Sequence, residues 1–171
     1  YVHTRLMPPD AHLLSMNHRL APDGRRIALV TYTNAPIRLL DLETMQVTGE
    51  IPFLESPHQV EYNLDGSQLL LTTDTSRIQR LRVFDTTSAE ETSVQLFPFA
   101  GELYVSPSGQ LLARTIRVAV EAREAGIELG ETDLEILSRE GDVLGRMRNV
   151  QSGRAPIFSA DHQRVAFDGR I

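Results

Sequence analysis

The chain has 171 residues, a formal net charge of −6 and no cysteine. Its length suits one ordinary domain, and the missing thiols exclude disulfides, thiolate metal sites and a cysteine nucleophile. The acidic balance argues against nucleic acid as the main partner, because phosphate binding draws on a basic surface.

In chain order, Val2, Thr4 and Leu6 alternate as one strand within residues 1–9. Four segments of one design follow. They are Arg19 to Leu29 (RLAPDGRRIAL), Glu61 to Leu71 (EYNLDGSQLLL), Tyr104 to Ala113 (YVSPSGQLLA) and Ile157 to Phe167 (IFSADHQRVAF). Each reads as a short strand, a tight turn and a second apolar strand. Asp-Gly and Ser-Gly suit that turn because glycine accepts positive φ without steric cost. His162 takes the glycine position in the fourth copy and predicts a different turn there. Strand character follows from period-two alternation: Val60, Tyr62 and Leu64 face one way, and Gln59, Glu61 and Asn63 the other.

A second marker runs in step: Ile37 to Thr44, Leu81 to Thr87 and Leu134 to Gly141 each read as a third strand entering a polar turn. Fourth strands are predicted at Val47 to Phe53, Ser93 to Phe99 and Val143 to Arg148. From Gly24 to Gly66 is 42 positions, from Gly66 to Gly109 is 43, and from Gly109 to His162 is 53. Periods of about 40–45 residues are those of four-stranded propeller blades. The stretches SPHQVEYNLDGSQLLLTTD and IRLLDLETMQVTGEIPF resemble the YVTN and WD-like repeats of bacterial propellers. They are also similar to TolB-like, lactonase-like and quinoprotein-dehydrogenase-like propellers. The Trp-Asp pair of strict WD repeats is missing, since the chain has no tryptophan.

The expected fold is therefore all-β, with propeller blades of four antiparallel strands: about three full blades plus partial blades at both ends. The blades are placed at 16–53, 58–99 and 102–149, with a partial blade at 154–171 and the last strand of an earlier blade at 1–9. Closing a propeller takes about four to eight blades, so further blades from the same protein or from a second chain are expected. Tyr62, Val105, Phe158 and Leu20 share one repeat position and are expected in the packing between blades.

Propeller geometry sorts the loops onto two ends. Turns between first and second strands share one end with turns between third and fourth strands. Connections between blades share the other end with loops between second and third strands, and the resemblance implies ligand binding at this second end. His58 stands where such a connection meets an inner strand, and the resemblance implies that it points toward the channel. Glu102 and Arg154 occupy similar places in the next blades, and Arg77 lies in a neighbouring loop. The extra residues of the third blade fall in Val118 to Thr132, with Glu121, Arg123, Glu124 and Glu128; a short helix over Ala119 to Ala125 or an extended hairpin would fit. Their acidic balance suits a basic partner surface.

The five histidines show no His-x-His or His-Glu-x-x-His spacing, the aspartates form no calcium loop, and most should cap turns. Ser106-Pro107-Ser108-Gly109 reads as a turn rather than a nucleophile elbow, and no glycine-rich phosphate loop is found. No apolar run approaches the ~18 residues of a membrane span. Residues 1–10 show no signal-peptide pattern, and the compartment stays open between cytoplasm and periplasm. The expected function is a non-catalytic binding module for a protein partner or a small polar ligand, with no cofactor specified. An enzyme of lactonase-like or cofactor-dependent oxidoreductase type, and a sensor or gating propeller attached to another domain, are the alternatives.

Overall fold

The structure, a computed structural model, describes residues 16–31, 35–53, 55–74, 78–98, 101–117, 131–151, 155–159 and 164–167. All regular structure among them is strand. Met16–Leu20 (β1), Arg26–Thr31 (β2), Ile37–Asp41 (β3) and Gln46–Ile51 (β4) form one antiparallel sheet in chain order. Gln59–Tyr62 (β5), Gln68–Asp74 (β6), Ile78–Asp85 (β7) and Glu91–Pro98 (β8) form the second. Leu103–Val105 (β9), Leu111–Arg117 (β10), Glu131–Ser138 (β11) and Val143–Gln151 (β12) form the third. Ile157–Phe158 (β13) and Val165–Ala166 (β14) pair as a hairpin.

The sheets are successive propeller blades. The inner strand of each full blade lies beside that of the next, β1 by β5 and β5 by β9. The predicted fourth strands agree with β4, β8 and β12 to within three residues. The strand at residues 1–9, most of the third-blade extension (118–130) and the turn at His162 lie outside the described residues.

Local chemistry repeats with the blades. Gly24, Gly66 and Gly109 hold φ of +69°, +73° and +69° in the first turn, a region that an L side chain enters only under strain. Asp23 and Asp65 accept from the backbone N–H groups of Arg25 and Ser67, both at 2.8 Å. Asp41 and Asp85 cap the third turns in the same way, through Glu43 and Thr44, and through Thr87 and Ser88. These donated hydrogen bonds hold all four carboxyls below their ordinary range. A bulge recurs at one place in every full blade, at Leu39/Leu40, Val83/Phe84 and Ile136/Leu137. Each bulge adds twist to the outer strand pair.

Both faces of a blade are apolar, so the core lies in the seams. The first seam packs Ala28, Val30, Ile37, Leu39, Ile51 and Phe53 against Val60, Tyr62, Leu69, Leu71 and Phe84. The second packs Leu70, Leu81, Val83 and Phe97 against Leu103, Val105, Leu112 and Leu137. In the third, Tyr104, Ile136, Phe158, Val165 and Phe167 pack on Ala113, Leu134 and Val150. Fully burying one such large side chain contributes about 1.5–3 kcal/mol. Tyr62, Val105 and Phe158 thus lie in seams as expected. Leu20 does not: it is 57% exposed, because no described residue packs over its side of the first blade. Leu64 also leaves the predicted alternation and is exposed, since the strand has already entered its turn.

Candidate functional site

The two loop ends separate as propeller geometry requires. At one end, Arg26 of the first blade donates from Nη2 to the Gly66 carbonyl at 3.0 Å and from Nη1 to Thr86 Oγ1 at 3.1 Å. It thereby joins the first and third turns of the second blade. At the other end, the connection entering β5 meets the last residues of β6. The His58 N–H donates to the Thr72 carbonyl at 2.8 Å, and His58 Nε2 lies 2.6 Å from Asp74 Oδ1. The His58 ring is half-exposed, so its other nitrogen can meet a ligand.

The next connection repeats the arrangement with different chemistry. The Gln79 side-chain amide donates to the Gly101 carbonyl, and both residues are buried. The Glu102 N–H donates to Thr115 Oγ1 at 2.7 Å, and the Thr115 N–H returns a bond to the Glu102 carbonyl at 2.9 Å. A Cβ on Gly101 would lie 2.1 Å from the Thr115 carbonyl oxygen, so only glycine fits this crossing. The exposed Glu102 carboxylate accepts from the Tyr104 hydroxyl. Burial, then the Glu102 carboxylate, push the Tyr104 phenol upward, so it stays a neutral donor.

Register places Gln59 opposite Thr72 as Glu102 stands opposite Thr115. Glu102 is therefore the repeat counterpart of Gln59, and His58 that of Gly101. Sequence places His58 and Glu102 alike in successive blades; the register sets them one residue apart. Among the described residues no hydrogen bond links these two side chains. Arg77, Glu121, Arg123, Glu124, Glu128 and Arg154 lie outside the described residues.

Polar side chains on the inner strands tie the blades together. Arg19 Nε donates to the Val60 carbonyl at 2.9 Å and to Glu61 Oε1 at 3.0 Å. Gln59 Nε2 donates to Glu61 Oε1 at 3.3 Å and to the Val105 carbonyl at 3.1 Å, while its Oε1 accepts from the Val105 N–H at 2.7 Å. One polar chain thus crosses three inner strands. Arg19, Gln59 and Glu61 were given no site role from sequence; for Gln59 and Glu61 the signal was the polar side of the β5 alternation.

Among the described residues no group of three His, Asp or Glu could hold a metal ion. Ser106 Oγ lies 2.9 Å from Ser108 Oγ and accepts from the Leu111 N–H at 3.1 Å, so this hydroxyl serves its turn. The arrangement offers an exposed imidazole steadied by a carboxylate and an exposed carboxylate steadied by a phenol. Both are suited to hydrogen bonding or ion pairing with a bound group.

No protein-family model matches the sequence, and no curated protein matches it. Solved structures match in fold. The WD40 domain of Toxoplasma gondii coronin has a TM-score of 0.57 at 15% identity, over 92% of this chain and 40% of that one. A dihydro-heme d1 dehydrogenase in complex with DHE gives 0.53 at 16% identity, over 91% and 33%. Pyrococcus horikoshii acylaminoacyl peptidase gives 0.51 at 15%, over 79% and 24%. The chain therefore spans two fifths or less of the length of these proteins. At such identities the likeness shows a β-propeller fold and nothing finer.

Proposed function

We propose that this chain is part of a non-catalytic β-propeller binding module, related to the bacterial YVTN and WD-like propellers. It engages a protein partner or a small polar ligand through the loop end that carries His58 and Glu102. The observation that supports this reading is the division of labour among the polar side chains. Arg19, Glu61 and Gln59 are spent on holding inner strands together, whereas His58 and Glu102 stand exposed at the loop end, each steadied by one neighbour. Loops on a rigid scaffold are where binding residues concentrate. The acidic residues Glu121, Glu124 and Glu128 in the third-blade extension favour a partner with a basic surface.

Fluorescence anisotropy with an arginine-rich and a glutamate-rich dodecapeptide tests the reading. The arginine-rich probe should bind at low salt, and Glu102→Gln combined with Glu121→Gln, Glu124→Gln and Glu128→Gln should weaken it at least tenfold. His58→Ala should weaken it further without lowering stability by more than ~1 kcal/mol, because exposed ion pairs contribute little. Equal affinity for the two probes, or binding indifferent to these substitutions, would remove this end from the function.

A further inference from the structure

The outer strand of a blade leaves one row of backbone N–H and C=O groups unpaired. Such a row pairs with other strands unless charge, glycine or a bulge interrupts it. In β4 the interruption is Gly49 followed by Glu50. In β12 it is Gly145, Arg146 and Arg148, with two register shifts in the pairing. In β8 the one register shift lies near the start, at Val83/Phe84, and Thr92 to Pro98 carries neither charge nor glycine. Val94 and Leu96 share one face of this stretch, 49% and 60% exposed.

The ground beside them is electrically balanced. Register sets Arg82 opposite Val94 and Arg80 opposite Leu96. Arg82 forks onto Glu91 at 2.7 and 2.8 Å and lies 3.5 Å from Glu55, and Arg80 lies 3.3 Å from Glu55. Two guanidiniums thus meet two carboxylates, and the edge presents no local excess of either sign although the chain carries −6. The edge is also self-complementary. When two copies of β8 run antiparallel about a twofold axis at Gln95, Val94 of each faces Leu96 of the other, and Ser93 faces Phe97. The four exposed apolar side chains then cover one another. Glu91, the only charge in β8, lies about 27 Å from its own copy at ~3.4 Å per residue. Moving the axis to Ser93 sets Leu96 against Glu90 instead and breaks up the apolar group.

We infer that the outer edge of β8 is a docking surface for the same edge of a second copy of this chain, paired antiparallel through Ser93 to Phe97. The two second blades then form one sheet across the twofold axis, with Val94 and Leu96 of both copies at its centre. An outer-edge pairing of this kind is separate from the seams between blades. It does not depend on the loop-end reading above and survives its failure.

The chain has no cysteine, so Gln95→Cys and Glu91→Cys each introduce a single thiol. Directly opposed positions in an antiparallel pair bring Cβ atoms to about 4.5–5.5 Å, near disulfide reach. Gln95→Cys should therefore oxidise to a covalent dimer at least tenfold faster than Glu91→Cys. Sedimentation equilibrium of the 171-residue chain should show a dimer that Leu96→Lys or Val94→Lys weakens at least tenfold, with the melting temperature of the dilute chain unchanged. A chain that is monomeric at every concentration overturns the proposal and leaves the edge to a strand of another protein. Association that survives both lysine variants but is lost in Leu20→Glu also overturns it, because the contact then belongs to the open side of the first blade. So does equal linking of the two thiols.

Discussion

Gln59 and Val105 are joined by two hydrogen bonds across a blade seam. The side-chain amide donates to the Val105 carbonyl at 3.1 Å and accepts from its N–H at 2.7 Å. The glutamine thus satisfies both backbone groups of a fully buried residue on an inner strand that would otherwise have an unpaired edge. Gln59→Ala should cost about 1–3 kcal/mol, the range for leaving buried polar groups without partners. Urea denaturation checks this. An unchanged midpoint would mean that the inner strands hold together by side-chain packing alone.

Arg82 clamps the first seam. Its guanidinium lies 5.0 Å from the Phe53 ring centre and 5.4 Å from that of Phe84, and it forks onto Glu91 at 2.7 and 2.8 Å. Lysine cannot make this fork. Arg82→Lys should therefore lose most of the coupling to Glu91, expected at about 0.5–3 kcal/mol for contacting partners. A double-mutant cycle with Glu91→Gln measures it, and a coupling near zero would reduce the pair to a surface ornament. The Arg82 hydrogen bonds hold the Glu91 carboxyl below its ordinary value. The resulting stability is fully present above the unfolded value of about 4.3 and is lost as pH falls through the folded value. The difference between wild type and Glu91→Gln should shrink below about pH 4.

Glu135 is buried between two arginines in register with it on neighbouring strands. Arg114 Nη2 donates to it at 2.6 Å, and Arg146 donates to its other oxygen. Burial pushes the carboxyl up, but the hydrogen bonds and charges of the two arginines outweigh it, and the carboxyl sits below its ordinary value. Removing one member of a buried ion pair costs about 3–5 kcal/mol, and the half-exposed Arg146 brings Glu135→Gln toward the lower end. Thermal unfolding across pH tests this. The penalty should be largest near neutrality and fade as acid protonates Glu135 in the wild type.

Gly101 crosses Thr115 with no room for a side chain. The obstacle includes the Thr115 carbonyl oxygen at 2.1 Å and carbonyl carbon at 2.8 Å as well as Oγ1 at 2.6 Å. Gly101→Ala should destabilise by about 1–3 kcal/mol, the usual cost of overpacking. Thr115→Ala should fail to rescue it, since the backbone clash remains. Full rescue, seen as a restored melting temperature in the double variant, would contradict this geometry.

The blade pattern was legible in the sequence because it is written in local chemistry. Asp-Gly and Ser-Gly fix the first turns, Asp41 and Asp85 cap the third, and period-two alternation marks the strands between them. The contacts that make the candidate site were not. Gln59 reaches Val105 across 46 positions and Gln79 reaches Gly101 across 22, and neither spacing leaves a mark in composition or period. His58 was legible as a residue at a blade junction, but its partner Asp74 emerges only when β6 pairs with β5 and brings its last residue beside the histidine. Leu20 shows the reverse limit: its repeat position predicts burial, and exposure depends on what lies against the first blade.

Successive four-stranded sheets stand with inner strands side by side. Proton–proton contacts in a nuclear magnetic resonance spectrum of the labelled chain test it most directly. Cross-peaks are expected from the Gln59 side-chain amide to the Val105 amide proton, and from the Arg19 Nε proton to Val60 and Glu61. Their absence, together with backbone cross-peaks pairing β4 with β5 as neighbours in one continuous sheet, would contradict it.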